Sequence, residues 1–407
     1  MQSEQQRIGR SRRWFLRAAA LFGGGFAAWN SPTASAADLP NRLGAPVSGY
    51  GNRSRFVKAL RLFGNTRTPQ AASSLSPLHD SQGIITASSL HYERHHSGVP
   101  DLDPATHTLT IHGLVNRQLV FTLDELKRFP SVSRIFFLEC SGNSSSEWRG
   151  ANAPDVQRSH GLTSCSEWTG VWLSTLLREC AVTPAATWIL AEGADAARVA
   201  RSIPITKAMK DVLVAYAQNG EPLRPEQGYP LRLIVPGCEG ITSIKWLHRL
   251  KAIDQPAMTR WETSKYTDLL ADGTSRMFSL EMDAKSIITR PSGGETLPGR
   301  GVYEISGLAW SGRGSIARVD ITTDGGATWT PAELQTPVLP MAHTRFRASW
   351  NWDGRDALIA SRAADDTGYL QPTLSDLVKL RGSNSGYHNN AILPWKVSST
   401  GVVSNGL

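Results

Sequence analysis

The chain has 407 residues, with 43 Lys and Arg against 35 Asp and Glu, and 40% of it is hydrophobic. That length allows two or three domains with full cores, without disulfide or metal staples. A charged fraction of 19% excludes a disordered polyelectrolyte, and no collagen or long coiled-coil repeat is present.

The formal charge of +8 invites a nucleic-acid reading, but much of it lies in the first 36 residues. There Arg7, Arg10, Arg12, Arg13 and Arg17 face only Glu4, ahead of an apolar stretch from Ala18 to Trp29 and then Ala34-Ser35-Ala36. A basic flank, an apolar run of about 7–15 residues and a small-x-small site make a secretory signal. The run falls short of the ~20 residues of a membrane span. Ser11-Arg12-Arg13-Trp14-Phe15-Leu16 resembles a twin-arginine signal, which a receptor reads. The expected destination is the periplasm, by a route that exports folded proteins and often ones already holding a cofactor. Without residues 1–36 the charge is +4, and no later apolar run is long enough to cross a membrane. Neither a nucleic-acid partner nor a membrane span is expected.

Residues 37–75, rich in Ser, Pro, Gly, Asn and Arg, are predicted to form an extended arm. His107 to Val115 alternates like a strand. Thr122-Leu123-Asp124-Glu125 opens a short helix with a capping box, closed by Pro130. Val132 to Leu138 is a β-branched and aromatic strand running into Glu139-Cys140-Ser141-Gly142-Asn143. Val171 to Cys180 has helical spacing, and Leu231 to Val235 is a strand halted by Pro236-Gly237.

Near Pro291-Ser292-Gly293-Gly294 the pattern changes to short strands. Ile316 to Thr323 and Ala327 to Leu334 form a hairpin around Asp324-Gly325-Gly326. Further strands follow at Phe346 to Trp352, Ala357 to Arg362 and Trp395 to Val397, the spacing of an antiparallel sandwich. The class is α+β: a signal (1–36), an arm (37–75), a mixed α/β domain (76–285) and a β-sandwich (286–407).

The four cysteines, Cys140, Cys165, Cys180 and Cys238, include no C-x-x-C pair, which disfavours zinc ribbons, redox dithiols and covalent haem. Two disulfides are possible, though the core needs none. Cys140 ends a strand in a glycine-containing loop, where a thiolate approaches a large ligand closely; a buried, inert thiol is the alternative. In Tyr92-Glu93-Arg94-His95-His96 the adjacent histidines point to opposite faces of a strand and cannot both ligate one metal without a bend. They read as anion donors beside Arg94, or as a solvated polar loop. Arg232 and Lys245 stand among apolar strands, where an idle charge is costly, so each needs a carboxylate or a bound anion. Tyr266 alone is an ordinary aromatic.

Together these motifs resemble the sulfite oxidase family of molybdenum enzymes. They are Arg94-x-His96-x-x-Val99-Pro100, Cys140-x-Gly142-Asn143, Glu192-Gly193-x-Asp195, Gly228-Tyr229-Pro230-Leu231-Arg232 and Lys245-Trp246-Leu247. Gly307 to Ser311, Asp324-Gly325-Gly326 and Leu380-Arg381-Gly382 resemble its immunoglobulin-like dimerisation domain. A narrower resemblance, to the molybdenum subunits of the Sox sulfane dehydrogenases, rests on Ser202-Ile203-Pro204, Glu262 to Tyr266 and Tyr387 to Ile392.

The resemblance implies a molybdopterin-binding domain of sulfite oxidase fold, one molybdenum–molybdopterin per chain and no haem. Cys140 is then the metal's thiolate ligand. Tyr92, Glu93, Arg94, His95, His96, Asp195, Gln227, Arg232, Ser243, Ile244 and Lys245 contact the pterin and its phosphate, while Arg94, Tyr266 and Arg381 line an anionic substrate pocket. It also implies oxidation of sulfur by oxo transfer, a c-type cytochrome as electron acceptor, a sulfur-carrier protein as substrate, and a homodimer or a heterotetramer with the cytochrome. Departures occur at Ser144, Ser145, Gln227, Thr242 and Cys238, where the family has basic, basic, histidine, arginine and aromatic residues. They favour a bulky, carrier-bound sulfane sulfur over free sulfite. The alternatives are a sulfite dehydrogenase and, in another class, an exported binding module that has lost its cofactor.

Overall fold

Five strands form the first sheet, in the order Leu119–Thr122, Thr108–Gly113, Leu247–Ile253, Trp188–Gly193 and Ala200–Pro204. Thr108–Gly113 and Leu247–Ile253 run parallel and the other pairs antiparallel. A second, antiparallel sheet is ordered Glu221–Pro222, Leu213–Gln218, Thr163–Trp172, Val132–Glu139, with Arg232–Ile234 also on Leu213–Gln218. The computed structural model describes residues 43, 45–64, 68–150, 153–270 and 272–407; the predicted signal lies outside them. Residues 58–407 form one compact unit, and the described residues before Lys58 form another, containing turns but no strand or helix.

The predicted arm contributes two short strands. Ser73–Leu75 is the middle strand of a small sheet, antiparallel to Leu62–Phe63 on one side and to Glu93–Arg94 on the other, with Ser73 opposite Arg94. Leu75 is buried there, so this edge of the arm backs the strand that carries two candidate site residues. The capping box forms as read: the Thr122 side chain accepts from Glu125 N–H, and the Glu125 carboxylate accepts from Thr122 N–H. The helix after Val171 is Leu173–Glu179; Val171 and Trp172 still belong to the preceding strand.

In the C-terminal region one sheet is ordered Lys285–Arg290, Gly301–Trp310, Thr344–Trp352, Glu333–Leu334. The other is ordered Thr330–Pro331, Ile316–Thr322, Ala357–Asp365, Trp395–Val397, Val403–Asn405. The hairpin predicted from Asp324-Gly325-Gly326 is present, but its second arm divides at Ala332. Ile321 faces Thr330 in one sheet while Glu333 faces Arg347 in the other. Pro331 has no N–H to continue the ladder, which suits a strand that changes sheets. A helix, Leu374–Arg381, was not expected from the sequence; the Thr373 side chain accepts from Asp376 N–H at its start.

The core does not stop where the pattern changes. Leu78, Phe137, Val156 and Cys165 belong to the same buried cluster as Ile287, Trp310, Phe346 and Trp395. The Phe137 ring lies 6.2 Å from that of His343 and 6.4 Å from that of Trp310. All four cysteines are free, so neither possible disulfide forms. No helix among the described residues is long and apolar enough to cross a membrane.

Candidate functional site

Strand Val132–Glu139 delivers Cys140 to a tight loop. The Cys140 N–H donates to the Leu162 carbonyl at 3.0 Å, and Asn143 N–H turns back to the Cys140 carbonyl at 2.8 Å. Cys140 is half-buried and burial raises its thiol pKa, so a bound metal is what would ionise it.

Against the thiol lies a cavity. Its wall contains Tyr92, Arg94, His95, His96, Cys140, Asp195, Gln227, Arg232, Ser243, Ile244, Lys245 and Tyr266. Residues separated by up to 174 positions thus converge on one space. Glu93 stands outside that wall, binding His95 Nε2 at 2.8 Å and pairing with Arg61.

Three lining cations, Arg94, Arg232 and Lys245, form no ion pair with a carboxylate among the described residues. Lys245 Nζ donates to the carbonyls of Arg94 (3.2 Å) and Glu226 (3.4 Å) and to His95 Nδ1 (2.6 Å), and forms no ion pair with a carboxylate among the described residues. Burial, with Arg232 nearby, pulls its pKa well below the ordinary lysine value. The Arg232 guanidinium donates to Gln227 through its carbonyl (3.0 Å) and its side-chain oxygen (2.9 Å), and lies 5.3 Å over the Trp168 ring. Its Nε has no partner, and burial lowers its pKa to about 10. Gln227 donates in turn to the Tyr92 carbonyl at 3.1 Å, so it orients Arg232. A buried arginine and a half-buried lysine without a carboxylate among the described residues call for an anion.

The histidines are not idle donors. Both ring nitrogens of His95 are engaged, by Glu93 and Lys245. His96 Nε2 lies 3.1 Å from the Tyr266 hydroxyl and its ring 4.4 Å from that of Trp261; burial and Arg94 drive its pKa to about 3, leaving it neutral. Asp195 is occupied by Ser97 Oγ (3.0 Å) and Val199 N–H (3.1 Å), and Ser243 Oγ accepts from Val235 N–H at 3.0 Å. Gly240 allows a close approach: a Cβ there would stand 2.6 Å from the Tyr92 hydroxyl and 2.9 Å from the Glu139 carbonyl.

A second, wider depression meets the cavity at four shared residues, Arg94, His96, Cys140 and Tyr266. It adds Ser145, Arg260, Lys265 and Tyr387, and no carboxylate among the described residues lines it. Tyr266 adopts a left-handed backbone (φ 56°), and its ring stacks on Tyr387 at 5.2 Å. Burial raises the Tyr266 pKa well above the ordinary phenol value, so its hydroxyl stays a donor.

Arg381 does not join this group. Its guanidinium is buried, bonded to Asp283 at 3.0 Å and 4.0 Å from Asp268, and it lines a separate cavity with Cys238 and Arg313. Arg260 and Lys265 were missed because single cations on a polar stretch carry no sequence signal.

Residues 96–261 match the family described as oxidoreductase molybdopterin binding domain, and residues 276–394 match Mo-co oxidoreductase dimerisation domain. Mitochondrial sulfite oxidase of Rattus norvegicus is 30% identical over 376 residues, covering 84% of this chain and 67% of that enzyme. The chain belongs to the sulfite oxidase family of molybdopterin oxidoreductases. Among other members, the human mitochondrial sulfite oxidase is 31% identical, with 74% of this chain and 60% of that enzyme aligned. Nitrate reductase [NADH] 1 of Oryza sativa subsp. japonica is 32% identical across 78% of this chain and 38% of its own length. The chain thus spans about two-thirds or less of these relatives. The solved sulfane dehydrogenase SoxCD from Paracoccus pantotrophus superposes with a TM-score of 0.88 at 44% identity, over 90% of this chain and 96% of that one. The fold is therefore that of the sulfite oxidase family, as the motifs implied.

Proposed function

We propose that this chain is the molybdenum subunit of an exported sulfane dehydrogenase. The observation that carries the reading is the position of Cys140, between an inner cavity rich in uncompensated cations and an outer groove lined by Arg94, Arg260 and Lys265. The donor set fits an anionic pterin. Lys245 and Arg232 would hold its phosphate, with Gln227 fixing Arg232 and His95 fixing Lys245. Tyr92, Arg94, His96, Asp195, Ser243 and Ile244 would enclose its rings, with Glu93 steadying His95 from behind. Among the described residues no three His, Cys, Asp or Glu side chains cluster to hold a metal, so molybdenum would take Cys140 as its one protein ligand and its other sulfurs from the pterin.

When bound, the group supplies two-electron oxygen-atom transfer to sulfur. The protein's part is positional and electrostatic. Arg94, Arg260 and Lys265 draw an anionic sulfur group down the groove, and the Tyr266 hydroxyl, held between His96 and Tyr387, donates to it. Arg381, already neutralised by Asp283, takes no part in substrate binding in this proposal. The 44% identity with the sulfane dehydrogenase favours a carrier-bound sulfane sulfur over free sulfite.

The cysteines include no pair spaced for covalent haem, so the proposed electron acceptor is a separate c-type cytochrome. The match of residues 276–394 to a dimerisation domain supports pairing through the sandwich. The basic, apolar leader supports twin-arginine export to the periplasm. Protein from a molybdenum-replete host is expected to hold about one molybdenum per chain and to oxidise a carrier-bound persulfide with cytochrome c as acceptor. Fast turnover of free sulfite, with none of the persulfide, would refute the substrate assignment; a metal-free protein would refute the cofactor assignment.

A further inference from the structure

The loop that carries Cys140 is gripped from the sandwich side. Lys285, the first residue of the first sandwich strand, donates to Glu139 Oε1 at 3.0 Å and to Ser144 Oγ at 2.5 Å. It thereby ties the residue before Cys140 to one four positions after it. Glu139 is fully buried and accepts also from Asn143 Nδ2 (2.9 Å) and from Trp310 Nε1 (2.7 Å). Asn143 reaches the other flank of the thiol, accepting from Leu162 N–H at 3.1 Å. A second set of bonds comes from near the C-terminus. His388 N–H donates to the Ser141 carbonyl (2.8 Å), Asn389 Nδ2 to the Ser144 carbonyl (3.1 Å), and Ser144 Oγ to the Asn389 carbonyl (3.2 Å).

A buried ion pair is a poor way to add stability, since apolar residues of similar volume do as well or better. What it supplies is direction: three donors fix one carboxylate, and the lysine's second bond fixes the loop's far end. The cavity lined by Cys140 receives neither Lys285 nor Trp310, so both act through Glu139 and Ser144.

We infer that Lys285 and Trp310 are positioning residues for the Cys140 sulfur, so that the region matching a dimerisation domain also sets the geometry of the metal's protein ligand. The inference rests on the reading of Cys140 as that ligand.

The test compares wild type with Glu139→Gln/Lys285→Met, which removes both charges together and strands neither, and with Trp310→Phe, which removes one donor. Cofactor-free protein from a host unable to make molybdopterin is treated with iodoacetamide, and labelling of Cys140 is followed by peptide mass spectrometry, with buried Cys165 as internal reference. Loaded protein is examined for molybdenum content and for its sulfur-to-metal charge-transfer absorption. The double variant is expected to melt near wild type, label at Cys140 about tenfold faster, and show a shifted absorption band. Trp310→Phe is expected to label about threefold faster, and decides the matter if the double variant does not fold. Unchanged labelling and an unchanged band in a folded variant would overturn the inference. An unchanged sulfur-to-metal absorption band in loaded Cys140→Ser would instead overturn the ligand assignment, leaving the labelling rates to judge the clamp.

Discussion

Replacing Lys245 by Met should change the empty and the loaded protein in opposite directions. In the empty cavity Nζ is satisfied by two carbonyls and a histidine, without a carboxylate, while Arg232 disfavours its charge. Removing an uncompensated, half-buried charge in favour of a linear apolar chain is worth about 1–2 kcal/mol, which for a chain of this size appears as a rise of ~1–3 °C in melting temperature. With an anion bound, the same substitution deletes a charge-assisted hydrogen bond of about 1.5–3 kcal/mol, or roughly 10- to 150-fold in retention. The assay is scanning fluorimetry on cofactor-free protein, beside molybdenum content after prolonged dialysis of loaded protein. A cofactor-free variant less stable than wild type, together with wild-type molybdenum retention, would show that Lys245 serves only the Arg94 and Glu226 carbonyls, and the anion-site reasoning would fail.

Acid should destabilise the fold before it touches the carboxylates. Burial holds His91 and His343 at about 3, so below the unfolded value of 6.5 the unfolded chain binds protons that the native state refuses. Stability therefore falls as pH drops from about 6.5 toward 3, by ~2 kcal/mol per histidine at pH 5; a melting temperature equal at pH 7.5 and 5 would contradict this. Gly240→Ala should push the Tyr92 hydroxyl out of place, costing about 1–3 kcal/mol and lowering molybdenum content, as metal analysis and melting curves would show. Phe137→Ala should cost about 3–5 kcal/mol and shift one cooperative calorimetric transition, because its ring joins both regions of the core. A second transition that stays at the wild-type temperature would count against a shared core. Cys140→Ser should melt near wild type yet lose more than about a hundredfold in turnover, measured by cytochrome c reduction.

The cavity was legible in the sequence because its residues sit in short, ordered motifs. The rule that an idle cation among apolar strands needs a partner singled out Arg232 and Lys245. Applied to Lys285-Ser286-Ile287-Ile288, it would also have found a buried lysine, but not its partner Glu139, which lies 146 residues away. Pairings at such separations leave no local trace, and the same holds for Glu239 with Arg201 and His388. Arg381 was placed beside the substrate by its motif, whereas Asp283 and Asp268 engage it elsewhere. The helix at Leu374–Arg381 has only Leu377 and Arg381 fully buried, too weak an apolar face to stand out among strands. Ala332, where the hairpin arm changes sheets, likewise looks like any other strand residue until both partners are known.

The apolar cluster that runs from Phe137 and Cys165 into Trp310 and Trp395 makes the two regions poor modules. A cut near Pro291 would bare aromatic surface on both pieces, so neither half should be expressible alone or exchangeable with a homologue's half without repacking. It also bears on how long a cofactor stays. The chain around Cys140 cannot fray by itself while Glu139 and Ser144 are held by the sandwich, so release from the cavity waits on a rare, wide opening of the protein. The dwell time of the prosthetic group would then follow the unfolding rate of strands that never touch it.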